Sequence, residues 1–169
     1  MNAVVVGIGD QPPEADFAAW VRPSLLAMTR LARRLAPHAD VDDVVQDALG
    51  RAWEKWSTYD PSRGTATVWL LAITADRARS ARRSSVRRLQ VVDDAAEVPD
   101  VPFEQRTADV DLDRAIDGLA ERQQLAVHLH YFLGLSTAEC AQVMDCSVGT
   151  VKSTLFDART RLREVLGDD

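Results

Sequence analysis

Leu135-Ser-Thr-Ala-Glu-Cys-Ala-Gln-Val-Met-Asp-Cys-Ser-Val-Gly-Thr-Val-Lys-Ser-Thr-Leu-Phe-Asp-Ala-Arg159 reads as a short helix, a turn and a second helix. Ser136 followed by Glu139 is a capping box, which starts the first helix. Ala138, Ala141 and Met144 recur every three residues and predict one buried face. Asp145-Cys146 break that pattern, and Ser147 offers a second N-cap. The second helix carries Val148, Val151, Leu155, Ala158, Leu162 and Val165 on one inward stripe. Its free sides hold Thr150, Lys152, Ser153, Thr154, Phe156, Asp157 and Arg159. Such a pair has the geometry that enters a DNA major groove. A plain αα-hairpin inside a bundle shares the same local pattern.

At 169 residues the chain holds one medium domain or two small ones. It is 46% hydrophobic, yet no apolar run approaches the roughly 20 residues that span a membrane. Met1 to Pro13 lacks the basic n-region of a secretory signal. These features predict a cytoplasmic protein with no membrane insertion, and reduced thiols at Cys140 and Cys146. The net charge of −6 looks wrong for a DNA binder until it is divided along the chain. Leu89 to Asp113 carries eight acids against Arg106, whereas Arg77, Arg79, Arg82, Arg83, Arg87 and Arg88 form an acid-free block. Local fields of that kind, not the total, decide what binds where.

The pattern predicts an all-α fold of two small helical domains. Residues 1–14 form an N-terminal extension, 15–88 a first domain, 89–110 an acidic, proline-containing linker and 111–169 the helix-turn-helix domain. In the first domain Asp16 is expected to cap a helix through Phe17, Trp20, Val21, Leu25 and Leu31, with a kink at Pro23. Asp40 starts a second helix with Val41, Val44, Val45, Ala48, Leu49, Ala52, Trp53 and Trp56 on one stripe. Its other face holds Asp42, Asp43, Gln46, Asp47, Arg51 and Glu54. After a turn-rich segment from Ser57 to Gly64, a third helix begins near Thr65–Thr67 and runs into the arginine block. The second domain adds a helix near Leu112–Leu119 and another from Glu121 to Leu133, with Leu125, Leu129 and Phe132 on one face and Gly134 ending it.

Three motifs in this order resemble the extracytoplasmic-function group of bacterial sigma factors. They are Asp42-Asp43-Val-Val-Gln46-Asp47-Ala-Leu-Gly-Arg51-Ala-Trp53, Trp69-Leu-Leu-Ala-Ile73 followed by Arg82-Arg83, and Val148-Gly-Thr-Val-Lys-Ser153 ending in Ala158-Arg159. The resemblance implies a protein that binds core RNA polymerase and directs it to promoter DNA. It implies a polymerase-binding face of Asp43, Gln46, Asp47 and Arg51. Contacts to the −10 element would come from Trp56, Tyr59, Arg63, Trp69, Asp76, Arg77, Ser80, Arg82 and Arg83. Contacts to the −35 element would come from Ser147, Thr150, Lys152, Ser153, Thr154, Phe156, Asp157 and Arg159. The linker would thread the polymerase cleft, although a solvated spacer has the same charge. Trp69 serves equally well as a base platform or as core.

This chain departs from the family's usual residues at Asp76, where Asn is common, and at Ser80, where Asp is common. Arg is common where Thr154 and Asp157 stand. These departures motivate a rival reading, a degenerate sigma factor acting through protein–protein binding. A second rival is an autonomous helix-turn-helix regulator of palindromic operators. The free protein is expected to be a monomer, with an anti-sigma protein as a further partner. His128 and His130 are two apart and cannot chelate one metal from a helix. Cys140 and Cys146 lack ligands at zinc spacing. Gly7-Ile-Gly9 is followed by Pro12-Pro13 where a nucleotide-binding helix would open. No catalytic residue, cofactor or metal is expected.

Overall fold

Caps and apolar periodicity place the helices much as expected. The structure is a computed structural model that describes residues 14–92 and 108–167. Most of the N-terminal extension and the linker acids Asp93, Asp94, Glu97, Asp100 and Glu104 lie outside the described residues. All regular structure among the described residues is helical. Helix α1 spans Glu14–Val21, so it begins before Asp16 rather than being capped by it. Pro23 does more than kink the chain. Arg22–Ser24 form a 3₁₀ turn, from which α2, Leu25–Leu35, sets off. The proline ring denies an intrahelical donor, which ends α1 there.

Asp40 caps α3, Val41–Lys55, by accepting from the backbone N–H groups of Asp42 and Asp43 at 2.9 and 3.1 Å. Val44, Val45, Ala48 and Ala52 are buried. They meet Met28, Leu31 and Leu35 of α2 and the central helix α4, Ala66–Val92. Leu70, Leu71, Thr74, Ala75 and Ala78 of α4 are buried, and the Thr74 hydroxyl is satisfied by donating to Leu70 O at 2.8 Å. Helix α4 continues through Val92, so Leu89–Val92 are helical where the sequence suggested linker.

The second half starts at α5, Ala108–Asp117, and α6, Glu121–Val127. Helix α6 runs into a π-helical turn at His128–Phe132, in which the Leu133 N–H reaches back to His128 O at 3.0 Å. The widened turn changes the angular register of its residues, so Leu129 stays buried but Phe132 is 41% exposed, contrary to the single predicted face. Gly134, at φ +72°, then turns the chain. Helix α7, Thr137–Met144, has the reciprocal Ser136–Glu139 capping box. Its inward face is Cys140, Ala141, Val143 and Met144, whereas Ala138 is exposed. Burial pushes the Cys140 thiol up to about 11. Asp145 ends α7 in the left-handed region at φ 49°, a conformation that Asp tolerates. Helix α8 covers Val148–Leu166, capped by Ser147. Val151, Leu155 and Ala158 are buried, but Val148 and Val165 at the ends of the predicted stripe are exposed.

The two halves pack on one another through α4 and α7, and their buried side chains form one continuous core. His128 lies beside that junction at 3% exposure, with no hydrogen-bond partner for Nδ1 among the described residues. Burial, reinforced by Arg34, lowers its pKa to about 4, against an opposing pull from Asp113. Because the folded value lies below the ordinary 6.5, the unfolded chain takes the proton first as pH falls. Stability is therefore full above pH 6.5 and is lost progressively toward pH 4. The loss from this group is at most about 1.4 kcal/mol per pH unit. Denaturant titrations between pH 7 and 4.5 should show this slope, and His128→Leu should flatten it. An identical slope in the variant would exclude His128 as its source.

Candidate nucleic-acid interface

Three polar surfaces stand on this frame. On α3, Asp43, Gln46, Asp47 and Arg51 are all exposed, opposite the buried stripe. Arg51 Nη1 donates to Glu54 Oε2 at 2.7 Å, and Asp47 Oδ2 lies 3.6 Å from Arg77 Nη1 on α4. The face thus presents acids and an amide with one locally paired cation.

Around the loop between α3 and α4 the aromatic residues form one cluster. Trp56 packs edge-on against Phe17 at 4.8 Å and beside Trp53 at 5.7 Å, within the cluster. Tyr59 and Trp69, 5.6 Å apart, instead line a cleft of about 970 Å³ together with Arg63. Tyr59 donates its hydroxyl to Gly64 O at 3.2 Å, which holds the loop in a turn. Asp60 accepts from the hydroxyl and N–H of Ser62 at 2.7 and 2.9 Å, and these bonds hold its carboxyl below the usual range. Trp69 is half-buried, so it belongs to the cluster and to the cleft wall at once.

The rest of the predicted −10 set divides. Arg77 and Ser80 line a second cleft with Asp43 and Asp47, which brings that set against the predicted polymerase face. Asp76 is exposed and pairs with Arg79 at 3.1 Å. Arg83 is exposed. Arg82 is engaged across the domain boundary, donating from Nη1 to Gln124 Oε1 at 2.8 Å.

On α8, Thr150, Lys152, Ser153, Phe156, Asp157 and Arg159 are exposed and Thr154 is half-buried. Phe156, at 60% exposure, is a large apolar side chain with no place in the core. Ser147 Oγ accepts the Thr150 N–H at 3.0 Å, which fixes the start of the helix. A rigid helix with a dry face and a polar, mildly cationic outer face can enter a groove without rearranging. Ser147 and Val148 also line the 970 Å³ cleft, facing Tyr59 and Trp69. Sequence reading missed the residues of this junction, chiefly Arg34, Asp113, Gln124 and Gln142. Each has its partner tens of residues away and carries no local signal.

The sequence pattern of Sigma-70 region 2 matches residues 20–88, and that of Sigma-70 region 4 matches residues 109–162. The chain is 34% identical over 157 residues to the RNA polymerase sigma-E factor of Streptomyces coelicolor, covering 89% of this chain and 86% of that protein. It is 27% identical over 178 residues to the ECF RNA polymerase sigma factor SigK of Mycolicibacterium vanbaalenii, covering 99% and 89%. Among solved structures it is similar to the sigma factor RpoE of Bartonella quintana in complex with the anti-sigma factor NepR. The TM-score is 0.69 at 30% identity, over 89% of this chain and 96% of that one. It is also similar to CnrH in complex with the cytosolic domain of CnrY, with a TM-score of 0.67 at 26% identity over 90% and 88%.

Proposed function

The chain belongs to the extracytoplasmic-function sigma factors, and from that membership we propose how its three surfaces divide the work of promoter-specific initiation. As a sigma factor it binds core RNA polymerase and directs it to promoters. The exposed face of α3 docks on polymerase through Asp43, Gln46, Asp47 and Arg51. Tyr59, Arg63 and Trp69, with the arginines of α4, engage the −10 element, where aromatic faces stack unpaired bases and cations meet phosphates. Helix α8 reads the −35 element. The observation that carries this division is α8 itself, since its dry side is packed while Lys152, Phe156 and Arg159 project from the other. Both regions match in order along one chain, which favours this reading over an autonomous regulator.

Asp76 pairs with Arg79, Ser80 lines the cleft beside Arg77, whose Nε is buried without a hydrogen-bond partner among the described residues, and Arg83 stays exposed; on this reading promoter recognition is altered rather than abolished. The protein works as a monomer in the cytoplasm, beside polymerase; no described helix is long and apolar enough to cross a membrane. An anti-sigma partner is also part of this reading. A groove of about 700 Å³ at the domain junction, lined by Leu26, Phe132 and Leu133 with Arg30, Arg33 and Arg34 against Asp113 and Asp117, suits an amphipathic helix whose acidic residues meet the arginines. Leu26 stands 62% exposed on its rim.

Run-off transcription with core polymerase on genomic DNA tests the function. Wild type should yield discrete promoter-dependent transcripts, and absence of any would overturn it. In the same holoenzyme, changing Arg82 and Arg83 to Ala should weaken promoter binding. It should also flatten the salt dependence by about 0.7–0.9 in log–log slope for each phosphate that is no longer neutralised. A slope equal to wild type would assign those arginines to solvent alone.

A further inference from the structure

Arg82-Arg83-Ser84-Ser85-Val86-Arg87-Arg88 lies in the C-terminal half of α4, and the sequence from Arg77 to Val92 holds no acid. The arginines serve the proposed binding of the −10 element, whereas the two serines between them have no part in it. Ser84 is exposed and Ser85 is half-buried. The Ser85 hydroxyl donates to Ala81 O at 3.0 Å, a carbonyl one turn back that also serves the helix ladder. That bond is spare, and the hydroxyl oxygen keeps its lone pairs.

Ser85 lines a cavity of about 220 Å³ with Arg34 of α2, His38 in the loop after it, and Arg82 one turn earlier on α4. Asp117 is the one acid among the described residues of that wall. A water takes up about 30 Å³ of liquid, so a phosphorus with three oxygens fits. Neither guanidinium is used up. Arg34 Nη1 reaches Asp113 Oδ1 at 2.6 Å and Arg82 Nη1 donates to Gln124 Oε1 at 2.8 Å, whereas each group carries five N–H donors. Two arginines and an imidazole around a neutral hydroxyl suit an anion in its place. The flanking sequence suits the enzyme that would install one. Arginines three and two residues before a serine, with an apolar residue after it, complement a kinase groove lined by acids. Ser85 has Arg82, Arg83 and Val86 at those places, whereas Ser84 has Ala81 three residues before it.

We infer that Ser85 is a phosphorylation site that turns promoter binding down. Its Oγ attacks the γ-phosphorus of a nucleoside triphosphate held by an arginine-directed serine kinase. The new O–P bond forms as the bond to the β–γ bridging oxygen breaks. Nucleoside diphosphate leaves, and the hydroxyl proton passes to a base of the kinase. The phosphoryl group, with a charge of about −1.5 to −2 at pH 7, settles among Arg34, His38 and Arg82. It takes Arg82 from promoter DNA and cancels up to about two positive charges of the arginine block. The effect on DNA rests on the proposed role of Arg82 and Arg83 at the −10 element; the acceptor site does not.

Three measurements on the full chain test this. With Mg-ATP and a serine kinase that selects arginine at the third and second residues before the acceptor, mass spectrometry should find one phosphate, on Ser85. Ser85→Ala should abolish it and Ser84→Ala should leave it. No uptake, or phosphate on Ser84 instead, overturns the site. Phosphoserine placed genetically at position 85 should then titrate, by phosphorus NMR, below the ordinary second value of about 6. Arg34, His38 and Arg82 favour the dianion there and Asp117 opposes it, so Arg34→Ala should move the titration back up. An ordinary value that Arg34→Ala does not change overturns the seating in the cavity. In holoenzyme, the same phosphoserine chain should bind a fork-junction promoter fragment about tenfold more weakly. Its salt dependence should flatten by about 1.4–1.8 in log–log slope, the share of two phosphates. Affinity and slope equal to the unmodified chain overturn the regulation. Run-off transcription by the unmodified chain separates these outcomes from failure of the function. If that chain yields no transcripts, the sigma-factor reading is at fault, and the acceptor and titration measurements still decide the site.

Discussion

Asp47→Arg should weaken binding to core polymerase by about 2–4 kcal/mol, or about thirtyfold or more in Kd, while leaving helical content unchanged. Reversing a charge at a docked face removes an attraction and sets a like charge against the partner's cations, and desolvation makes that costly. The fold loses little by comparison. Asp47 is exposed, and its only ion pair among the described residues is the loose 3.6 Å contact with Arg77. Pairs of that kind contribute about 0–1 kcal/mol. Arg51→Glu should act in the same direction, and it also gives up the 2.7 Å bond to Glu54 within α3. Asp47→Asn separates the missing attraction from the added repulsion and should fall between wild type and Asp47→Arg. Fluorescence anisotropy with labelled protein and core polymerase reads the affinity, and circular dichroism reads the fold. Unchanged affinity in both reversals would remove α3 from the polymerase interface.

Local chemistry explains which parts of this molecule could be read from its residues. Asp40, Ser136 with Glu139, and Ser147 each satisfy orphan N–H groups within three residues of themselves, so the starts of α3, α7 and α8 are visible in the sequence. The stripes on α3 and α8 are likewise set by 3.6-residue periodicity, and their middles are buried as expected. Features that depend on distant packing were not visible. Ala138 has the right spacing for the core of α7 but lies on the wall of the interdomain cleft. Phe132 has the right spacing for α6, yet one π turn carries it to the junction, over which Arg34 lies. Val148 and Val165 fall beyond the ends of the packed segment, where periodicity alone cannot tell a core position from a frayed one. The candidate site divides in the same way. The exposed face of α8 follows from its own sequence, whereas the Arg82–Gln124 bond joins residues 42 apart.

Asp157→Arg should strengthen binding to −35 DNA by about tenfold across many sequences and steepen its salt dependence by about 0.9 in log–log slope. Asp157 is exposed on the outer face of α8, one residue from Phe156, and forms no ion pair among the described residues. The nearest cation one turn along, Arg161, is committed to Glu164 at 3.1 Å. No described side chain therefore neutralises this carboxylate, and in a groove it would lie close to phosphates. Its replacement by a cation removes that repulsion and adds a contact to phosphate or to a guanine edge. On this reading Asp157→Ala should leave sequence preference intact. The opposite outcome has its own signature. If Asp157 accepts from a cytosine amino group, Asp157→Ala would relax preference at one base pair by about 1–3 kcal/mol, and Asp157→Arg would shift that preference rather than raise affinity everywhere. A promoter-library selection with both variants separates the two. Unaltered profiles in both would place Asp157 away from DNA and rotate the recognition surface of α8 toward Thr150 and Lys152. Tolerance is the expected result because a carboxylate that reads a base needs a fixed rotamer, and here neither packing nor a hydrogen bond among the described residues supplies one.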